Sequence, residues 1–243
     1  MGSEMCIRDR NYHTDESNRF TSSHDGPWVE EYRKFEETHT NPDRLVASLF
    51  KDKYFILKKV NPKELMWGMY WVASDMQNAE TKVSFYDLFK GQELFDLWQC
   101  VNYRFYVGNA NHADGKGIVV ANAKSLLRNI LDSADEAIRK GGIAATLRFG
   151  HDGNVIPLVA LMQIENCNVA VSDPYEVYKV WSDFKVVPMA ANVQIIFFRN
   201  EKSNDILVKI MHNENEVHIP VQTDMFPYYR WRDVENYYRG MLK

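Results

Sequence analysis

An adjacent histidine and aspartate, His151 and Asp152, are the side chains in this sequence whose placement suits catalysis. Gly150 precedes them and Gly153 and Asn154 follow them, which is a composition typical of a tight turn. An imidazole can bind an anion through a charge-assisted hydrogen bond, and a neighbouring carboxylic acid can donate a proton to a leaving group. The turn therefore places two titratable side chains next to each other, where chemistry could take place.

The residues around the pair predict a strand, a turn and a helix. Residues 144–149 are suited to a buried strand, and an apolar run with helical spacing begins at Val155. Asn154 is the expected N-cap of this helix, with Pro157 in the first turn, where a missing N–H costs little. The free N–H groups and the positive dipole end of such a helix favour a bound anion such as phosphate.

Another helix is predicted just before the strand. Residues 122–140 have one apolar face, and Gly141 and Gly142 are expected to end the helix in a left-handed conformation. A helix followed at once by a strand is half of a crossover unit, and in an open α/β sheet the end of such a strand meets the next helix in a crevice. Arg148 is expected on the opposite side of the strand from His151, because they are three positions apart, and is interpreted as structural.

The composition is that of an ordinary globular protein. The 243 residues are 45% hydrophobic and 26% charged. A net charge of -4 argues against nucleic acid or an anionic membrane surface as the main partner. No apolar run approaches the roughly 18 residues of a membrane-spanning helix. The 3 cysteines are too few and too scattered for a disulfide framework, and neither a metal nor a cofactor is expected.

Four regions are predicted along the chain. Residues 1–10 have no signal-peptide pattern and no periodicity, and are interpreted as a non-native, adapter-like leader. Residues 11–26 are polar and predict a loop. Residues 27–115 contain several predicted helices with aromatic faces, which indicates a helical subdomain. Residues 116–243 contain the His-Asp pair and form the last region.

The last region also predicts β-structure. Residues 192–199 are expected to form a strand that is buried on both faces. Residues 206–211 and 217–221 flank the polar stretch 212–216, which predicts a hairpin. The tyrosine-rich end of the chain predicts a packed amphipathic helix.

The segment Leu-Arg-Phe-Gly-His-Asp-Gly-Asn, which runs from Leu147 to Asn154, resembles the His-Asp motif of the histidine acid phosphatases. The similarity is to the branch that includes the multiple inositol polyphosphate phosphatases and phytases. It implies an α/β fold in which a partial phosphatase core sheet is flanked by helices, with residues 27–115 as a helical cap. It also implies a phosphomonoesterase with a phosphohistidine intermediate, in which His151 binds phosphate, Asp152 is the proton donor and Asn154 contributes to substrate binding.

One part of the family pattern does not occur in this sequence. The family's nucleophile is a histidine in an Arg-His-Gly-x-Arg-x-Pro motif, and there is no Arg-His-Gly here. The chain is therefore interpreted as an N-terminally truncated fragment of an acid phosphatase or phytase, inactive by itself. The alternative is that the protein evolved without the nucleophile. An absent first core strand should leave an exposed edge or apolar face on the sheet.

The expected partner is a phosphorylated small molecule, with inositol polyphosphates as the substrate class that the resemblance implies. The resemblance also implies a periplasmic or secreted parent protein, although this sequence shows no signal peptide. The sequence does not indicate an oligomeric state. A non-catalytic module that binds phosphate or inositol phosphate is one alternative. A metal-dependent hydrolase with His151 and Asp152 as ligands is another, for which His212 and His218 are poor additional ligands.

Overall fold

The computed structural model describes Met5–Cys6, residues 13–200, Lys202 and residues 205–243. These residues form eleven α-helices and six β-strands. The helices are α1 (Asp15–Thr21), α2 (Val29–His39), α3 (Asp43–Leu49), α4 (Lys53–Leu57), α5 (Pro62–Asp75), α6 (Gly91–Asn109), α7 (Lys124–Lys140), α8 (Asp152–Leu161), α9 (Pro174–Val180), α10 (Asp183–Val186) and α11 (Trp231–Met241). The strands are β1 (Met5–Cys6), β2 (Arg148–Phe149), β3 (Val193–Arg199), β4 (Ile206–His212), β5 (Asn215–Glu216) and β6 (Tyr228–Arg230).

The chain separates into two compact units. The helical unit is Pro27–Arg104, and the second unit combines Met1–Gly26 with Phe105–Lys243. No helix within the described part of the chain is long and apolar enough to cross a membrane.

Helix caps and a buried apolar cluster define the helical unit. Asn61 is the N-cap of α5, because its Oδ1 accepts hydrogen bonds from the backbone N–H groups of Lys63 and Glu64 at 3.0 and 3.4 Å. Helices α3 and α6 are joined by Arg44, whose Nε and Nη2 each lie 2.6 Å from a carboxylate oxygen of Glu93. The buried cluster consists of Leu45, Met66, Tyr70, Ala73, Phe89 and Leu97.

Helices α7 and α8 form the part of the second unit that lies next to the His-Asp pair. The predicted helix over residues 122–140 is confirmed as α7, which follows a short 3₁₀ helix at Val120–Ala123. It ends where expected, because Gly141 and Gly142 have φ angles of 66° and 77° that residues with a side chain rarely adopt. The apolar face of α7 is buried through Leu126, Leu127, Leu131 and Ala134.

The antiparallel sheet of the second unit is centred on β4. Strand β3 pairs with one edge of β4, from Val193 opposite His212 to Arg199 opposite Ile206, and β5 and β6 also pair with β4. A hairpin forms with a tighter turn than expected, since Asn213 and Glu214 both have positive φ angles, of 48° and 61°. Its second strand is Asn215–Glu216, and the strand expected over residues 217–221 does not form. The expectation that residues 192–199 are buried on both faces is wrong, because every residue of β3 is at least partly exposed.

Two local predictions are corrected by the structure. The segment 11–26, predicted as a loop, contains α1, which starts at a capping box between Thr14 and Ser17 and buries Phe20. A short helix forms here because a polar sequence with a strong N-cap needs only one apolar anchor. Of residues 1–10, only the backbone of Met5–Cys6 is described, and the interpretation of this segment as a leader stays a prediction.

The predicted buried strand over residues 144–149 is also wrong in extent and burial. Only Arg148–Phe149 forms a strand, paired in parallel with Met5–Cys6. Ile143, Leu147 and Phe149 are exposed to 49%, 61% and 54%. A strand with this apolar content becomes buried only when neighbouring strands and helices cover it, and β1 pairs with just two of its residues.

His212 is a buried imidazole at the end of β4. Its Nε2 donates a hydrogen bond to the carbonyl of Val186 at 2.8 Å, and its Nδ1 lies 3.7 Å from the Sγ atom of Cys167. Burial lowers the pKa of His212, and burial raises the pKa of the Cys167 thiol to about 12. Both groups are therefore neutral near pH 7, which is the form that a low-dielectric interior favours.

We expect His212 to make the fold less stable as the pH falls. The pKa of His212 is lower in the folded chain than the ordinary histidine value of about 6.5, so the unfolded chain binds more protons. The destabilising contribution is absent above about pH 6.5 and grows below it, with a slope of at most about 1.4 kcal/mol per pH unit. Urea unfolding between pH 5 and 7.5 measures this slope.

The variant His212→Gln should show a flatter dependence of unfolding free energy on pH than the unsubstituted chain. The matched control is His24→Gln, which removes an exposed imidazole of the same unit. An unchanged slope in His212→Gln would contradict the prediction.

Candidate active site

The end of β2 and the start of α8 place the His-Asp pair. The chain leaves β2 at Phe149, and His151 is the N-cap of α8, with an extended backbone at φ -117° and ψ 174°. Asp152 is the first helical residue. Both side chains are exposed, so a substrate in solution can reach the imidazole and the carboxyl group.

Asn154 lies under the turn and is not the N-cap that the sequence suggested. The helix starts three residues earlier than predicted, and Asn154 is only 6% exposed. Its Oδ1 accepts a hydrogen bond from the backbone N–H of His151 at 3.1 Å. Pro157 is consequently the sixth residue of the helix instead of the third, where it cannot donate to the carbonyl of Gly153. The reason is that the Asn154 side chain satisfies the N–H of His151, which extends the helical turn backwards.

Asp152 is oriented by its own turn. Its Oδ1 accepts a hydrogen bond from the backbone N–H of Gly153 at 2.7 Å. The arrangement directs the carboxyl group at the positive end of α8, beside His151.

Arg148 connects β2 to α7. Its Nη2 donates to Ser133 Oγ at 2.7 Å and to Asn129 Oδ1 at 3.0 Å, and its Nε donates to Asn129 Oδ1 at 3.3 Å. The interpretation of Arg148 as a structural residue agrees with these contacts.

Asn109 at the end of α6 is a neighbour of the site that the sequence analysis did not identify. A Cβ atom added at Gly153 would lie 3.3 Å from Asn109 Oδ1, and the Nδ2 of Asn109 donates to the carbonyl of Phe105 at 3.2 Å. The close approach explains why position 153 is occupied by a residue without a side chain. The only sequence signal was the glycine itself, since 44 positions separate it from Asn109.

The other histidines of the second unit lie in separate surroundings. His112 is buried between Phe20 and Tyr106, and burial lowers its pKa. His218 stacks on Phe226 with 3.9 Å between ring centroids. Within the described ranges no group of three or more His, Cys, Asp or Glu residues is placed to hold a metal ion.

The helical unit contains a polar cavity of about 330 Å³ that includes neither His151 nor Asp152. Its lining residues are Thr38, His39, Asn41, Asp43, Arg44, Met66, Lys90, Glu93 and Asp96. The exposed pair at the start of α8 therefore lies outside this cavity.

Comparison with known families decides the relationship that the motif suggested. The model of the histidine phosphatase superfamily, branch 2, matches residues 7–213. The chain belongs to this superfamily. The matched residues of this branch 2 histidine phosphatase chain include β2, α8 and the whole His-Asp turn. No curated protein matches the chain.

Solved structures of the multiple inositol polyphosphate phosphatase of Bifidobacterium longum have a similar fold. The complex with inositol hexasulfate matches with a TM-score of 0.63 at 22% identity. The match covers 73% of this chain and 39% of the Bifidobacterium longum chain. The complex with phosphate gives 0.62 at 22% identity, with 75% and 40% covered. The apo form gives 0.60 at 22% identity, with 72% and 38% covered.

These comparisons confirm the predicted α/β class and the histidine phosphatase fold. The branch 2 histidine phosphatase chain spans about two fifths of the length of the solved structures that it resembles.

We expect Gly153→Ala to be less favourable than an ordinary glycine-to-alanine change in a helix. Such a change normally stabilises by about 0.5–1 kcal/mol, but here the new methyl group would press on Asn109 Oδ1. The matched control is Gly240→Ala in α11, where nothing lies within 4 Å of the added atom. Urea unfolding should give Gly153→Ala a lower free energy of unfolding than Gly240→Ala, by up to about 1 kcal/mol.

Replacing Asn109 by alanine in the Gly153→Ala background should recover part of the difference, because the contact is then absent. Equal stabilities of Gly153→Ala and Gly240→Ala would contradict the close approach.

Proposed function

We propose that this chain is part of a phosphomonoesterase that hydrolyses inositol polyphosphates. The observation that carries the proposal is the exposed His151-Asp152 pair at the start of α8, in a chain that matches the histidine phosphatase family across residues 7–213. The family relationship supports a phosphatase, and the position of the pair supports a site open to a phosphorylated small molecule.

In the proposed mechanism, His151 and the start of α8 bind the phosphoryl group. The imidazole donates a charge-assisted hydrogen bond to a phosphate oxygen, and the positive end of the helix favours the same anion. Asn154 contributes to substrate binding through His151, because its buried Oδ1 holds the His151 backbone N–H.

Asp152 is the proposed proton donor of the first step. A nucleophilic histidine attacks phosphorus, the bond from phosphorus to the ester oxygen breaks, and Asp152 gives its proton to the leaving alkoxide. In the second step water attacks the phosphohistidine, the Asp152 carboxylate takes a proton from that water, and inorganic phosphate and the histidine are released. The nucleophile in its Arg-His-Gly motif is not in this sequence and is proposed to come from the remainder of a longer parent polypeptide.

The substrate class is supported by the solved relatives. The Bifidobacterium longum enzyme is named a multiple inositol polyphosphate phosphatase and was solved with inositol hexasulfate, which presents six sulfates where an inositol hexakisphosphate presents phosphates. We propose the same class of substrate for this chain, which is 22% identical to that enzyme. The periplasmic or secreted location of the parent protein stays a prediction from the family resemblance.

A non-catalytic phosphate-binding module is the second candidate function. The observation that favours it is the lack of any Arg-His-Gly in the printed sequence. Such a module would keep the anion site at the start of α8 and would not turn over a phosphomonoester, whatever polypeptide surrounds it.

We expect the 243-residue chain to bind inorganic phosphate through His151. Removing the imidazole in His151→Ala should weaken the affinity about tenfold, as is typical for the loss of one charge-assisted hydrogen bond. Isothermal titration or NMR titration with inorganic phosphate measures the effect. His218→Ala removes another exposed imidazole of the same unit and should leave the affinity unchanged. Equal affinities of His151→Ala and His218→Ala would exclude His151 from the site.

We also expect no phosphomonoester turnover by this chain, because its sequence provides no Arg-His-Gly nucleophile. In a parent polypeptide that contains the motif, Asp152→Asn should lower kcat by about 10²–10⁴, since a positioned acid contributes that much. Release of phosphate from inositol hexakisphosphate measures the turnover of the 243-residue chain and the kcat of the parent polypeptide. If the 243-residue chain hydrolyses the substrate and Asp152→Asn abolishes this activity, the nucleophile does not come from another segment. A parent that binds phosphate without turnover would favour the binding module.

A further inference from the structure

The strand that leads into the His-Asp turn receives little apolar packing. Residues 141–147 are exposed, as are Phe149 and Gly150, and Arg148 alone within this stretch is partly buried. The strand pairs with only two residues of β1. An exposed strand of this kind is normally prone to local opening, because few buried contacts oppose it.

The Arg148 side chain supplies the polar contacts that hold this strand. Its guanidinium donates to Asn129 Oδ1 and Ser133 Oγ, which lie one helical turn apart on α7 and therefore on one face. Ser133 Oγ also donates to the carbonyl of Asn129 at 2.7 Å, so its own proton is directed away from Arg148 and its lone pairs accept. The planar fork of arginine fits two such acceptors, whereas a lysine ammonium does not.

Helix α7 is a firm anchor for these acceptors. Leu127 and Leu131 on its other face are fully or almost fully buried, and so is Leu126, which lies beside the acceptors. The chain then runs only three residues from Arg148 to His151, whose N–H is held by Asn154. A displacement of Arg148 would therefore also displace the His151 imidazole and the Asp152 carboxyl group.

We propose that Arg148 is a positioning residue, which sets the place of His151 and Asp152 by fixing β2 to Asn129 and Ser133 of α7. Arg148 acts through the turn and does not itself touch the substrate. The inference rests on the proposed function in so far as His151 binds phosphate.

Amide hydrogen exchange of the 243-residue chain, followed by NMR, tests the proposal. The variant Arg148→Lys keeps the charge but loses the fork, and should raise exchange of the His151 amide about tenfold, while amides of α7 exchange as before. The matched control is Arg199→Lys, because Arg199 also reaches α7, where its Nη2 donates to the carbonyl of Ile138 at 2.6 Å. This control should leave the His151 amide unchanged.

A second pair of variants separates positioning from a folding defect in Arg148→Lys. Ser133→Ala removes one acceptor and should raise exchange of the His151 amide, whereas Ser133→Thr keeps the hydroxyl and should restore the slow exchange. Exchange of the His151 amide within about twofold of the unsubstituted chain in both Arg148→Lys and Ser133→Ala overturns the proposal. An equal rise in the exchange rates of the α7 amides also overturns the proposal, because the substitution then destabilises the fold in general.

Titration with inorganic phosphate gives the functional readout. Arg148→Lys should bind phosphate about tenfold more weakly than Arg199→Lys at an unchanged Tm. Equal affinities of these two variants, with the unsubstituted chain binding phosphate, overturn the positioning role. If the unsubstituted chain does not bind phosphate, the proposed function fails, and the exchange data decide the role of Arg148 independently.

Discussion

The hydrogen bonds from Arg148 to α7 are the interaction on which the arrangement of the candidate site depends. The strand that carries Arg148 is short and its apolar side chains are exposed, so packing contributes little to its position. Two acceptors on one face of α7, Asn129 and Ser133, take the place of a covering layer. A charge-assisted, forked contact is directional where apolar packing is not, and it therefore suits a strand end that must present two side chains at fixed positions.

The turn itself is built so that its polar groups satisfy one another. The buried Asn154 holds the N–H of His151, and Asp152 accepts from the N–H of Gly153. These bonds leave the imidazole and the carboxyl group exposed while their backbone is fixed. Such an arrangement separates the groups that set geometry from the groups that would meet the substrate, which is a general requirement of a preorganised site.

The chain contains two compact units. The helical unit has its own apolar cluster around Met66 and Tyr70. In the second unit β4 alternates buried and partly exposed residues, with Val208, Ile210 and His212 facing the interior. The neutral His212 and the thiol of Cys167 show that this interior accepts polar groups only in their uncharged forms. His151 and Asp152 lie outside this interior, at the exposed start of α8.

Local chemistry in the sequence determined the helices that carry their own signals, including α5 with its cap at Asn61 and α7 with its amphipathic face and closing glycines. The motif from Leu147 to Asn154 likewise determined the family and the identity of the two exposed side chains. The tertiary structure alone decided the extent of β2, the start of α8 at Asp152 and the approach of Asn109 to Gly153. The physical reason is that caps and periodicity act within a few residues, whereas the burial of a strand and the space beside a glycine depend on groups that lie far away in the sequence.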